Sequence, residues 1–259
     1  MTRINSPQDA DVLIQKLPSD MGIHRNPRKG TLDGPDRILE DFSTYREMLV
    51  EKVFPDEFSL EETQQRIAEN TEDLMQYGKP LVSLGGDHSV SFPAVKALKK
   101  EMPDLKLVWL DAHLDLKEKV DGHVSHDVVV RELLNSGFSL EEIYFVGTTK
   151  VDGDEKEFLE GKEPQIYRSS DIQDFIREFS PGEQPVYLSL DIDVLSEEEA
   201  PGTGYPDGEL SPEEVSKVVD AVKPSYADLV EVAPSLDTES RTVENSRNLL
   251  ESIITGIDC

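Results

Sequence analysis

The chain of 259 residues is long enough for one large domain, and a hydrophobic content of 37% fills a substantial core, which excludes a disulfide-stapled peptide. Its 54 Asp and Glu against 26 Lys and Arg leave a formal net charge of −28 at pH 7, which argues against nucleic acid as a partner. The single cysteine, Cys259, allows no intramolecular disulfide and no cysteine-rich metal site, so a reducing compartment is expected, with the cytoplasm as the location.

Residues 1–10 lack the hydrophobic segment of a signal peptide, and no apolar run approaches the roughly 18 residues that suggest a membrane span. The acidic excess reads either as solvated helix faces or, the preferred expectation, as a surface that stays hydrated in the concentrated salt of a halophilic cytoplasm, where self-repulsion is screened. In chain order, the pattern predicts a strand over 12–17, helices over 35–50 and 60–77, a strand over 81–84, a helix over 92–100 and a strand over 105–110. It continues with a helix over 127–135, strands over 143–146 and 165–167, and a helix over 171–179. A strand over 186–190, a helix over 212–222, a strand over 229–232 and a helix over 243–257 complete it. Ser59-x-x-Glu62 and Ser211-Pro212-x-Glu214 read as capping boxes. Several strands are apolar on both faces, as a covered parallel sheet requires. The expectation is a single α/β domain over residues 1–259, a three-layer α/β/α sandwich with a mainly parallel central sheet.

In an open parallel sheet, ligands bind beyond the carboxyl ends of the strands. There the chain reads Gly85-Gly86-Asp87-His88-Ser89, then Asp111-Ala112-His113-Leu114-Asp115, then Asp191-Ile192-Asp193, and the run over 229–232 carries Glu231. The longest irregular stretches, 115–125 and 196–210, follow strands that end in carboxylates. Residues two apart at a strand end share a side, so Asp111, His113 and Asp115 are expected to converge, as are Asp191 and Asp193. With His88 they make six potential ligands for two divalent cations. Without metal, four clustered carboxylates repel one another and several stay protonated. An oxygen-rich set with two imidazoles suits Mn²⁺, with Mg²⁺ or Co²⁺ as alternatives, and a water shared by two such ions is acidified enough to make hydrolysis the natural chemistry. Other features read more simply. Gly85-Gly86 is a tight turn, Trp109 is core, Lys96, Lys99 and Lys100 form a solvated helix face, and His24 is a surface or packing residue.

The strand-end motifs, with Ser125-His126, Ser189-Leu190-Asp191-Ile192-Asp193-Val194-Leu195, Ala200-Pro201-Gly202-Thr203-Gly204 and Val230-Glu231-Val232-x-Pro234-x-x-Asp237, resemble the ureohydrolases, the family of arginase, agmatinase and formimidoylglutamase. Gly34-Pro35-x-x-Ile38 resembles the N-terminal segment of that family. The resemblance implies an arginase-like fold, two Mn²⁺ per subunit and a small guanidino substrate. One ion takes His88, Asp111, Asp115 and Asp191; the other takes Asp111, His113, Asp191 and Asp193. Glu231 matches the glutamate that pairs with the substrate guanidinium, Asp115 the group that passes a proton from the bridging hydroxide to the leaving amine, and His126 the proton shuttle. His123, three residues earlier, is the alternative shuttle. Agmatine is the preferred substrate, cleaved to urea and an amine for polyamine synthesis, with arginine next and then formimidoylglutamate or another guanidino acid as alternatives. A metal-holding but non-catalytic regulatory homologue is the reading from another class. The resemblance also implies a homo-oligomer, a trimer or hexamer. Three features depart from the family pattern: Asp127 stands where glycine usually follows Ser-His, Thr149 where an arginine is common, and the chain is short. Asp152 falls near the position that contacts the substrate α-amino group in arginases.

Overall fold

Eight strands join in one sheet in the computed structural model, which describes residues 4–23 and 28–257; the expectations for His24 and Cys259 lie outside the described residues. The strands are β1 (Val12–Leu17), β2 (Met48–Lys52), β3 (Leu81–Gly85), β4 (Lys106–Leu110), β5 (Ile143–Thr148), β6 (Gln165–Arg168), β7 (Val186–Asp191) and β8 (Tyr226–Val230). They lie in the order β2-β1-β3-β8-β7-β4-β5-β6, and every neighbouring pair is parallel. The helices are α1 (Gly34–Glu40), α2 (Leu60–Met75), α3 (Ser91–Glu101), α4 (Val129–Asn135), α5 (Gly153–Leu159), α6 (Ile172–Glu178), α7 (Pro212–Val222) and α8 (Arg241–Gly256).

Alternation along a strand sorts side chains between two cores. On β4, Leu107 and Trp109 pack with Val95 and Leu98 of α3 and Val129 and Leu133 of α4, whereas Val108 and Leu110 join the cluster that holds Ile38 of α1, Phe175 of α6, Val218 of α7 and Leu250 of α8. Each fully buried side chain of this size contributes roughly 1.5–3 kcal/mol. The result is the expected three-layer α/β/α sandwich.

Several boundaries differ from the sequence expectation. The helix over 35–50 stops at Glu40, and Met48–Lys52 instead forms edge strand β2, in register with Val12–Lys16 of β1. Met48 and Leu49 are buried there, because the otherwise open edge of β1 supplies backbone partners that a longer helix could not use. Helix α5 was not anticipated. Its cap is Asp152, whose backbone N–H donates to Glu155. The 229–232 strand runs from Tyr226 to Val230 instead, leaving Glu231 just beyond it at φ 62. Of the two expected capping boxes, Ser211 and Glu214 bond reciprocally, whereas Ser59 accepts from the Glu62 N–H while the Glu62 carboxylate pairs with Arg66. Lys99 is buried rather than solvated: its Nζ donates to the Pro103 and Leu105 carbonyls and to Glu142, 2.9 Å away. Asp237, from the last motif, caps α8 by accepting from the backbone of Thr242 and Val243.

Candidate metal centre and active site

The four middle strands β3, β8, β7 and β4 end level, since Leu84 pairs with Leu229, Leu229 with Leu190, and Leu190 with Leu110. Three of them, β3, β4 and β7, then turn sharply by the same local device. Asp87 accepts from the Ser89 N–H at 2.9 Å, Asp111 from the His113 N–H at 2.7 Å, and Asp191 from the Asp193 N–H at 2.8 Å. These aspartate turns explain the Asp-x-polar spacing. They also replace the extended strand-end geometry expected from sequence, since the residues converge through a turn, with Asp115 at φ 50. Gly86 allows close passage here, for a Cβ on it would lie 1.8 Å from the Ser19 carbonyl oxygen.

The six expected ligands meet. His88 Nδ1 stands 3.1 Å from Asp111, 3.0 Å from Asp191 and 3.5 Å from Asp115. His113 Nδ1 lies 3.0 Å from Asp193 and 3.4 Å from Asp111. Among the described residues, two groups have ligand atoms close enough to hold an ion, His88 with Asp111 and Asp191, and Asp111 with His113 and Asp193, so Asp111 is common to both. Although fully buried, His88 Nδ1 and Asp111 Oδ2 make no hydrogen bond. Orphaned polar atoms of this kind, in a nest of carboxylates, fit a pair of divalent cations of the oxygen-preferring class.

Electrostatics supports the same fit. Burial raises the carboxyl groups of Asp115 and Asp191 well above their ordinary range, and neighbouring carboxylates add to the shift. Burial and the charge of Asp111 bring Asp193 to about 6. Burial works against charge on His88 and His113, yet the adjacent aspartates outweigh it and raise both imidazoles. Protons therefore do the neutralising where cations are lacking, and metal binding releases them. Groups held protonated in the fold lend stability below their unfolded pKa values and lose it as pH rises through the folded ones. We accordingly expect metal-stripped protein to melt lower as pH rises from 5 to 8 at constant ionic strength, by on the order of 5 °C. Added Mn²⁺ should flatten that decline; a metal-free melting temperature that climbs over this interval contradicts the charge balance described here.

Glu231 closes the constellation. It is 5% exposed, accepts the His88 N–H at 2.8 Å and donates its own N–H to the Gly86 carbonyl at 2.8 Å. Its left-handed backbone is a strained conformation for glutamate, held by these two bonds. Burial pushes its carboxyl up to about 7. The cleft beside it, about 580 Å³ including its open mouth, is also lined by Asp115, His126, Lys117, Lys150, Asp152 and Tyr205. His126 Nδ1 lies 2.9 Å from the Gly22 carbonyl, and its ring stacks on Tyr205 at 5.7 Å. His123 instead pairs with Glu61 at 2.5 Å and borders a neighbouring surface hollow that His126 shares.

Sequence reasoning missed a supporting layer. His88 Nε2 lies 2.8 Å from Ser189 Oγ, which donates to Asp228 at 2.8 Å, and Asp228 also accepts from the Tyr187 hydroxyl at 2.7 Å. Fixing one ring nitrogen in this way aims the other at the carboxylates. Trp109, expected only as core, stacks on the same imidazole at 4.0 Å. A buried aspartate in an otherwise apolar strand was the available signal for Asp228. Sequence reasoning marked Asp127 and Asp152 at the rim but missed Lys117, Lys150 and Asp207. Lys117 bonds Asp152 at 3.0 Å and approaches Asp127 at 3.7 Å; Lys150 bonds Asp207 at 3.2 Å, and Asp207 also meets His113 Nε2 at 3.1 Å. Burial disfavours the charge on Lys117, but its aspartate neighbours prevail and raise its pKa.

The arginase family model matches residues 10–256. Agmatinase of Bacillus anthracis is 30% identical over 96% of this chain and 92% of its own length. The mitochondrial guanidino acid hydrolase of Homo sapiens is 25% identical over 97% of this chain and 80% of its own. Among solved structures, proclavaminate amidino hydrolase from Streptomyces clavuligerus superposes with a TM-score of 0.86 at 22% identity, covering 98% of this chain and 94% of that one. Parallel sheet, level strand ends and family match agree, and the chain belongs to the arginase family.

Proposed function

We propose that the protein is a binuclear manganese hydrolase that cleaves a guanidino compound to urea and an amine. The observation that carries this reading is Glu231, a buried carboxylate fastened beside the six clustered ligand candidates. His88, Asp111, Asp115 and Asp191 would hold one ion, and Asp111, His113, Asp191 and Asp193 the other. When bound, two divalent cations neutralise the carboxylates and acidify water, which is what hydrolysis of a guanidinium needs. The chain supplies the rest. Glu231 binds and orients the planar cation through charge-assisted hydrogen bonds. Asp115, within the cleft, moves a proton toward the departing amine, and His126 exchanges protons with solvent. The Gly22 carbonyl accepts from His126 Nδ1–H, which leaves Nε2 as the ring nitrogen available for proton exchange.

Relatives named agmatinase support agmatine, the substrate preferred from sequence, whereas the human relative's name supports a guanidino acid. The head-group chemistry is common to both. A non-catalytic role is disfavoured by the complete set of ligand candidates and by Glu231, which a purely metal-stabilised fold does not require. The acidic surface supports function in concentrated salt, in the cytoplasm, and the family supports a homo-oligomeric assembly.

Urea release from Mn²⁺-reconstituted protein, measured over a panel of guanidino compounds, tests the proposal. His126→Asn is expected to lower kcat by roughly 10²-fold or more, with the deficit partly restored by added imidazole, whereas His123→Asn changes it less than about threefold. No urea from any member of the panel rejects the assignment.

A further inference from the structure

His126, the proposed proton shuttle, is held firmly at one edge only. The Gly22 carbonyl accepts from its ring Nδ1 at 2.9 Å and from its backbone N–H at 3.3 Å. Gly22 is itself pinned: its N–H donates to the buried Asp87 carboxylate at 2.9 Å, and a Cβ on it would lie 2.3 Å from Asp87 Oδ1 and from Ser89 Oγ. Rotation of an imidazole about its last side-chain bond is soft, so one hydrogen bond at one ring atom leaves the ring able to tilt. Two spaces lie beside it, the cleft that holds Glu231 and the surface hollow lined by Val120, Asp121 and His123.

Tyr205 stands where these spaces meet. It lines both, its ring lies 5.7 Å from that of His126 with 20° between the planes, and it meets His113 edge-on at 6.0 Å. Such separations fall within the roughly 4.5–7 Å range of favourable aromatic contact. The side chain is 37% exposed, yet the backbone that carries it is fastened on both flanks. On one side Arg28 donates to the Thr203 carbonyl at 3.0 Å, and the Gly202 carbonyl accepts the Ala233 N–H at 2.7 Å. On the other, the Asp207 N–H donates to the Tyr205 carbonyl at 2.9 Å, while the Asp207 carboxylate meets His113 Nε2 at 3.1 Å and the Asp207 carbonyl accepts the Thr149 hydroxyl at 2.8 Å. The contact with His126 is made by the flat face of the ring, which a phenylalanine would also present.

Resting on the reading of His126 as the shuttle, we propose that Tyr205 is its positioning residue: the aromatic face of Tyr205 and the Gly22 carbonyl together hold the imidazole with Nε2 toward the cleft, rather than tilted into the outer hollow. Tyr205 then acts on proton exchange through His126, with no part for its own hydroxyl. Proton transfer depends on hydrogen-bond reach, so a small tilt of the base is enough to slow turnover without weakening substrate binding.

Three substitutions at this position test it in the Mn²⁺-loaded full-length protein. Tyr205→Phe should hold kcat within about twofold, whereas Tyr205→Ala, and Tyr205→Leu with apolar bulk but no flat face, should each lower kcat by about fivefold or more and change KM less than about threefold. Added imidazole should restore most of that loss, since a mobile base stands in for a misplaced one. In the His126→Asn background, Tyr205→Ala should cost less than about twofold, because a residue that acts through His126 has nothing left to act on. A loss in Tyr205→Phe as large as in Tyr205→Ala, a loss that imidazole does not relieve, or an undiminished loss in the His126→Asn background overturns the proposal. If His126→Asn leaves kcat unchanged, or no variant releases urea, the shuttle reading fails instead, and crystal structures still decide the positioning: the His126 ring should leave the Gly22 carbonyl in Tyr205→Ala and keep it in Tyr205→Phe, and a ring unmoved in both overturns it.

Discussion

Asp111→Asn is expected to abolish urea release, lowering kcat by roughly a thousandfold or more, and to reduce bound Mn²⁺ below two per chain. Asp111 is the one residue common to both ligand groups, and its Oδ2 is buried without a hydrogen bond. Asparagine keeps the shape and one oxygen but removes the negative charge that neighbouring histidines and cations share. Its Oδ1 can still accept the His113 N–H, so the turn should survive and the fold with it. Metal content by atomic emission and a melting curve, taken alongside the assay, separate lost metal from lost structure. Full activity with two ions retained would show that Asp111 does not bridge the pair.

Glu231→Gln should act differently. The glutamine amide oxygen can keep the bond from the His88 N–H, and both ions should remain. What is lost is the buried charge proposed to face the guanidinium, and breaking such a pair costs about 3–5 kcal/mol, or roughly 10²–10⁴ in kcat/KM. The pH dependence carries a second signature. Because burial raises the Glu231 carboxyl to about 7, guanidinium binding to metal-free protein should strengthen as pH rises through neutrality, when the carboxylate ionises. In the glutamine variant that dependence should vanish. A variant that keeps wild-type kcat/KM would place the guanidinium elsewhere.

The candidate ligand motifs were legible because each is local: an apolar run ends and an aspartate turn follows within two residues, as at Asp111 to His113 and Asp191 to Asp193. Glu231 was legible only through family resemblance, since one glutamate after a strand carries no signal in an acidic chain. Edge strand β2 was not legible. Its Met48-Leu49-Val50 run continues an apolar pattern that a helix could equally use, and only the vacant side of β1 decides between them. The buried chain from His88 through Ser189 to Asp228 was hidden for another reason. Its members lie 101 and 39 residues apart and meet by cross-strand register, which no period in the sequence encodes. The same holds for the pairing of Lys117 with Asp152, which forms only when the loops after β4 and β5 are set side by side.

By itself the sequence determined the fold class, the six ligand candidates and the oxygen-rich character of the centre, because alternation, turn chemistry and donor type are properties of short segments. Only the tertiary structure decided that β8 lies between β3 and β7, which carries Glu231 to the His88 backbone, and that two lysines border the cleft. Strand order and loop juxtaposition depend on which distant segments pair and bury one another, and local chemistry leaves that choice open.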